Sequence, residues 1–461
     1  MAAFGGPVCI AALLIFLFTS LAFLARGLLH SDLYIDSRGD LLLRELQGRH
    51  REVRRFLVPF RVDNLGTLAE RSEEENTRKA VSAATGGVQP GQVACGELSY
   101  AQNAAFIGSG YSKAVFGAVL RGGVPVALKF VNAHGADMAT CVRDFGDATG
   151  CFELVSYKLI KEIALLQRLR HPNIVQLYGH CQPGEQVDRV MSVLERGSPF
   201  QMIQLLQSPW EERFRVCLGL ARLLDFLSKS PLGSVALLDF QPRQFVLVSG
   251  ELKLTDLDDA SVGDPVCSSD ADCVLNFPIR NFSIPCSPEG ICQGLNEKRN
   301  LYNSYRYFFT YLLPHRAPSA LQHLIERIMN STGELKSGVN DTLEAFEDLL
   351  HLYKSGLYLQ NLPMSIIKDY TVARGMKASG GGDYRCWPSY DHGGCVLSVH
   401  SAREAALLCH SQPHCAGFSL GTQKTWTGRI LASFRSGFDS LVPDVNSVVY
   451  VKNTGASTPA L

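Results

Sequence analysis

Apolar and polar positions from Ala104 to Val131 read as strand, glycine turn, strand, turn and strand. The period then changes. From Phe152 to Arg170, Leu154, Tyr157, Leu159, Ile163, Leu166 and Leu169 are spaced to line one face of a long helix. His171-Pro172-Asn173 ends it, and Ile174 to Tyr178 and Arg189 to Leu194 read as two further strands. Beyond about residue 200 the pattern is mainly helical. Residues 27–61 are mixed and partly basic, which predicts a solvated helical stalk, and residues 62–93 have little apolar periodicity and read as a flexible linker. Residues 360–382 contain Gly, Ser and Lys and also read as a linker, followed by a small cysteine-bearing module at 383–452.

One ribbon interrupts the helical part. Leu238 to Val248 is followed by Ser249-Gly250 and then by Glu251 to Asp256, which predicts a tight hairpin. Antiparallel pairing returns the end of the second strand to the start of the first. Asp239 and Asp256 are therefore expected at one edge, the first on a loop and the second at a strand end.

Composition narrows the location more than the chemistry. The chain has 461 residues and no net charge, with 44 basic and 44 acidic residues, so nothing global points to nucleic acid. Val8 to Ala25 is uncharged and apolar, with Arg26 after it and no Lys or Arg before it. It reads as a cleaved signal, with an uncleaved anchor as the alternative, and either places the remainder in the secretory lumen. Asn281-Phe282-Ser283, Asn330-Ser331-Thr332 and Asn340-Asp341-Thr342 are acceptor sequons, so N-glycans are expected at Asn281, Asn330 and Asn340. Cysteines cluster as Cys141 and Cys151, Cys267 and Cys273, Cys286 and Cys292, Cys386 and Cys395, and Cys409 and Cys415. In an oxidising lumen these read as disulfides, and no zinc knuckle is present. Cys95, Cys181 and Cys217 are left over, at least one of them free; the bridge pattern itself is open.

Five features then occur in a meaningful order. Gly108 and Gly110, with Val115 after them, form a turn whose missing side chains let backbone N–H groups approach a polyphosphate. Lys129 follows on the next strand. A lone strand lysine ordinarily faces solvent, but Glu162 lies along the apolar margin of the long helix and needs a partner there. Asp239 and Asp256 complete the set. Glycine turn, strand lysine, helix glutamate, loop aspartate and metal aspartate resemble the parts of a protein kinase. The resemblance implies an α+β fold with two lobes, a β-rich small lobe and a helical large lobe, followed by the small disulfide-rich C-terminal module. The boundaries read as signal or anchor 1–25, stalk and linker 26–93, small lobe 94–195, large lobe 196–358, linker 359–382, module 383–452 and tail 453–461.

A narrower resemblance extends from about residue 95 to about 452. The segments Cys151 to Gly179, Leu205 to Gln207, Pro231 to Ser234, Asp239 to Asp259, Asn296 to Tyr302, Phe309 to Pro314 and Tyr384 to Tyr390 are similar to the vertebrate lonesome kinase family. That resemblance implies a secreted or Golgi-luminal enzyme that moves the γ-phosphate of ATP, with Mg²⁺ or Mn²⁺, to tyrosines of secreted, luminal and extracellular-matrix proteins. It implies no nucleic-acid partner, and membrane attachment only through an uncleaved leader. Asp239 would orient the acceptor hydroxyl, Arg243 would steady the γ-phosphate, and Asp256 would hold the metal with Gln244 as a further ligand. Lys129 would hold the phosphates, set by Glu162, and Gly108, Gly110 and Val115 would contact the nucleotide. Asp258 and Asp259 read equally as extra ligands or as solvated carboxylates.

The departures from the general kinase pattern are specific. The third glycine of the loop is Lys113, Leu237-Leu238 precede Asp239, Gln244 replaces an asparagine, and Asp256-Leu257-Asp258 lacks the glycine hinge. These leave a pseudokinase scaffold and a glycan kinase as alternatives. The C-terminal module reads either as a binding domain, vaguely like a PAN or apple fold, or as a structural cap.

Overall fold

The computed structural model describes residues 38–56, 93, 95–182 and 189–453. The apolar leader, nearly all of the 62–93 linker and the tail beyond Asn453 fall outside these residues. No helix among the described residues is long and apolar enough to cross a membrane. Packing gathers the chain into two units: residues up to Arg170 with Val175–Arg196, and His171–Ile174 with Gly197 onward.

The first unit is built on an antiparallel sheet of β1 (Gln102–Ser109), β2 (Lys113–Val119), β3 (Pro125–Val131), β4 (Leu177–Cys181) and β5 (Met191–Glu195) in the order β1-β2-β3-β5-β4. One face buries Ala118, Val126, Leu128, Met191 and Val193, with Val93 and Cys181. In register, Val115 lies opposite Lys129 and Lys113 opposite Val131, so all four side chains share the other face. Among the described residues this unit carries three α-helices: α1 (38–56), α2 (Ala136–Phe145) and α3 (Ala148–Arg168). Asp147 caps α3 by accepting from Thr149 N at 2.9 Å. Val155, Leu159 and Ile163 of α3 pack with Val131 of the sheet and with Met138 and Cys141 of α2.

The solvated-stalk expectation for 27–61 does not hold for α1. Leu42 is 4 % exposed and joins the α3 core, with Leu46 packed against it, and Val53 is equally buried. Glu52 pairs with Lys161 at 2.6 Å, and His50 Nδ1 lies 3.2 Å from the Tyr157 hydroxyl. Leu42, Leu46 and Val53 recur at helical spacing, a stripe masked in the sequence by the many charges around it. A Cβ on Gly150 would come within 2.7 Å of Leu42, so the helices approach closely there.

The second unit has at its centre α5 (Trp210–Ser228), which follows the short α4 (Met202–Leu206). Phe214, Cys217, Leu220 and Leu224 of α5 are fully buried, as are Phe346 and Leu349 of the helix Val339–Ser355. Residues 370–379, expected in a linker, instead form a strand, Tyr370–Ser379, paired with Ser440–Lys452 in a five-stranded antiparallel sheet. Gly375, with φ 68°, sits at the one register shift of this pair, where Arg374 faces Val448 and Met376 faces Pro443, so the extra residues, 444–447, lie in the partner strand.

The C-terminal sheet is bound to α5 and to Val339–Ser355 through buried polar groups rather than apolar contact alone. The Glu211 carboxylate, in the first turn of α5, accepts from Tyr353 and Tyr390 hydroxyls at 3.2 Å each and from Thr427 Oγ1 at 2.6 Å. Arg429 donates to both oxygens of Glu404 at 2.6 Å, and its guanidinium lies 4.2 Å from the Tyr353 ring centroid. Such a network is costly to break once buried, because each broken bond strands a partner. It favours the structural-cap reading of the module.

Among the described residues six disulfides join Cys95–Cys181, Cys141–Cys151, Cys267–Cys286, Cys273–Cys292, Cys386–Cys395 and Cys409–Cys415. Three of the neighbouring clusters are bridged internally. The 267/273 and 286/292 clusters are not: they exchange partners, because Val274–Asn276 pairs antiparallel with Asn281–Ser283 and folds the segment back on itself. Cys95 and Cys181, left over in the sequence, bridge to each other. Cys217 is free and fully buried, and burial pushes its thiol pKa up, which leaves it an inert core residue.

Candidate active site

The sequence-derived residues fall into two groups, one in each unit. In the first unit Lys129 Nζ lies 2.8 Å from Glu162 Oε1. Glu162 is 0 % exposed and Lys129 6 %, so the pair is removed from water. Glu162 is carried on the sheet-facing side of α3 by the same periodicity that buries Leu159 and Ile163. Its second oxygen, Oε2, pairs with Lys113 Nζ. Sequence reasoning placed Lys113 only as a missing glycine. The available signal was its alternation with Val115 on β2, which puts it on the Lys129 face.

The turn before Lys113 is firmly held. Gly110 N donates to Lys113 O at 2.7 Å, and Asn132 Nδ2 donates to Gly110 O at 3.1 Å. Asp137 N, in the first turn of α2, donates to Tyr111 O at 3.3 Å. A Cβ on Gly135 would stand 2.1 Å from that same oxygen, so only glycine permits this approach. Gly108 has open space where a Cβ would go, and a Cβ on Gly110 would meet only Lys113 O, at 4.0 Å.

In the second unit two ribbons bracket the aspartates. The strand β7 (Val235–Leu237) pairs with β10 (Ala260–Val262), and β8 (Phe245–Val248) pairs with the short β6 (Ser198–Pro199) on one side and β9 (Glu251–Leu254) on the other. Ser249 and Gly250 have φ of 51° and 81°, the left-handed pair that a two-residue hairpin requires. The strand before that turn is shorter than its apolar pattern suggested, since Pro242–Gln244 forms a 3₁₀ turn. That turn folds three donors back onto Asp239: Gln241 Nε2 at 2.6 Å and Arg243 Nη2 at 3.1 Å, with Gln244 Nε2 as the third. Gln244 O then accepts from Thr255 N at 2.9 Å, one residue before Asp256. Asp239 and Asp256, together with Gln244, Asp258 and Asp259, line one pocket. Arg243 and Gln244, expected toward phosphate and metal, are thus both bound to the Asp239 carboxylate.

Supports that sequence reasoning left without a role hold this loop. Asn300 Oδ1 accepts from Leu237 N at 2.9 Å while its Nδ2 donates to Val235 O at 2.7 Å, fastening β7 from the helix Leu295–Ser304. Asn173 Nδ2 donates to Leu252 O and Asn173 O accepts from Leu254 N, both at 2.8 Å, fastening β9. Phe240 is buried against Phe245 and Phe308. Asn300, engaged through both ends of its side-chain amide, and Asn173, engaged through its Nδ2 and its backbone carbonyl, fix backbone position in a way that apolar packing alone does not. Oxygen donors crowded on one pocket suit a hard divalent cation such as Mg²⁺ or Mn²⁺.

No family model matches the chain. The human protein named extracellular tyrosine-protein kinase PKDCC is 53% identical over 379 residues, spanning 80% of this chain and 76% of the relative. Shorter similarities reach plant kinases. The serine/threonine-protein kinase PBL35 of Arabidopsis thaliana is 36% identical over 101 residues, 21% of this chain and 20% of the relative. A probable leucine-rich-repeat receptor-like serine/threonine-protein kinase of the same plant, At1g53430, is 27% identical over 189 residues, 40% of this chain and 17% of the relative.

Proposed function

The chain belongs to the vertebrate lonesome kinase family, and on that premise we propose that it transfers the γ-phosphate of ATP to tyrosine hydroxyls of secreted, luminal and matrix proteins. It is a protein kinase of the secretory pathway, and the named relative is an extracellular tyrosine kinase. The observation that carries the catalytic reading is the convergence of Asp239 and Asp256 on one pocket, with Asp239 held by three donors. Fixing a carboxylate before the acceptor arrives leaves little reorganisation for the reaction itself.

In this reading Asp239 accepts the hydrogen bond of the tyrosine hydroxyl and aims its oxygen at the γ-phosphorus. Lys129, set by Glu162, binds the phosphates, while Gly108, Gly110 and Val115 contact the nucleotide. Asp256 would supply oxygen to Mg²⁺ or Mn²⁺, with Gln244, Asp258 and Asp259 beside it. The metal, when bound, neutralises charge on the phosphate oxygens. Arg243 and Gln244 act first by positioning Asp239.

The test uses the purified secreted protein with ATP, Mg²⁺ or Mn²⁺, and tyrosine-containing protein acceptors. Asp256→Ala should abolish transfer. Asp239→Asn should lower kcat by two or more orders of magnitude (~10²-fold) with little change in ATP affinity, because its partner is the acceptor. Equal tyrosine labelling by wild type and Asp256→Ala would refute the proposal, and labelling of glycan alone would replace it with a glycan kinase.

A further inference from the structure

Lys113 is 6 % exposed and begins β2 directly after the glycine turn. Its ammonium meets Glu162 Oε2 while Lys129 meets Oε1, so one carboxylate fixes two lysines from neighbouring strands. Two buried ammonium groups so close repel each other and are expensive to desolvate. A well-packed apolar residue at position 113 would avoid both costs. The cost has a use where a polyanion must be gripped at two points. The placement fits that use: Lys113, Val115 and Lys129 share one face of the sheet. The turn that leads into Lys113 is held by Asn132, by Asp137 N and by the close approach at Gly135.

We propose that Lys113 is a second phosphate-directed lysine, so that the polyphosphate arm of the nucleotide is read by two ammonium groups set on the single carboxylate of Glu162. This rests on the kinase reading above and assigns a function to the residue that departs from the glycine pattern. It also makes the glycine turn and α3 one mechanical unit, joined through the Lys113–Glu162 contact. Adenosine, which lacks phosphates, should not sense Lys113.

The experiment measures binding of ATP and of adenosine, together with KM for ATP and for the protein acceptor, for Lys113→Met and Lys129→Met. Met keeps the unbranched stem and removes the charge. Lys113→Met is expected to weaken ATP about tenfold or more, the scale of one charge-assisted hydrogen bond. Adenosine affinity and acceptor KM should stay within about twofold, well below the change such a bond produces. Loss of ATP and adenosine affinity in parallel would mean a purely structural role and overturn the proposal. Unchanged ATP affinity in Lys113→Met beside a clear loss in Lys129→Met would overturn it while leaving the kinase reading intact. No loss in either variant would overturn both. Should Lys113→Met fail to fold, Lys113→Arg and Lys113→Gln replace it. Arg binding ATP more tightly than Gln supports the proposal, and equal affinity overturns it.

Discussion

Leu42→Ala tests whether α1 is a working part of the first unit. Leu42 is 4 % exposed and sits among Val155, Leu159 and Ile163 of α3, the helix that carries Glu162. Truncating a buried leucine costs about 2–5 kcal/mol. The lower end, about 2–3 kcal/mol, applies because only one face of α1 is buried and the site can partly close. The Glu52–Lys161 pair is half-exposed at its acidic end and adds a few tenths of a kcal/mol up to about 1. A loss of 2–3 kcal/mol shifts the docking equilibrium of α1 roughly 30- to 150-fold. Amide hydrogen exchange across residues 38–56 should therefore accelerate by that factor. Amides of α3 should follow in part, and turnover at saturating ATP should fall severalfold as Glu162 loses its backing. Two results would refute the reasoning. One is exchange in 38–56 as slow as in wild type. The other is released α1 with unchanged α3 exchange and unchanged turnover.

His171 and the disulfides give two further expectations. Burial, reinforced by the Arg222 charge, lowers the His171 pKa to about 4, and its ring stacks on Phe226 at 4.9 Å. A histidine depressed on folding contributes stability that is complete above its unfolded pKa of about 6.5 and is lost as pH falls from there to about 4, by less than the full shift would give because solvent screens this part-buried ring. Urea unfolding of wild type and His171→Asn between pH 7 and pH 4, roughly the span of those two pKa values, should diverge on that side; parallel curves would disprove the assignment. Loop entropy predicts that removing Cys95–Cys181, separated by 86 residues, costs about 4–5 kcal/mol, against about 2 for Cys409–Cys415, separated by six. Denaturant titration of the two double-serine variants measures this, and the reverse order would exclude chain entropy as the cause.

Local pattern was enough to locate much of this molecule. The strands around the glycine turn, the long helix with Glu162 on its apolar margin and the Ser249-Gly250 hairpin were all legible, because each is written in a period or a turn residue within a short stretch. The candidate site residues were picked out by type and order, a lysine, a glutamate and two aspartates in the succession that the kinase resemblance calls for. What the sequence could not supply was the choice among equivalent partners. Glu162 has two oxygens, and only the path of β2 brings Lys113 to the second. Four cysteines between 267 and 292 admit several pairings, and the fold-back of the segment selects the exchanged one. Charges hid the buried stripe of α1, and the Gly, Ser and Lys content around the Tyr370–Ser379 strand made it look like a linker, because its pairing with Ser440–Lys452 is not written in local composition. The attachment of the C-terminal sheet depends on Glu211, Tyr353, Tyr390 and Thr427, four residues spread over more than two hundred positions. Such contacts leave no trace in local periodicity, because they form only once long loops have closed and the buried polar groups must find one another.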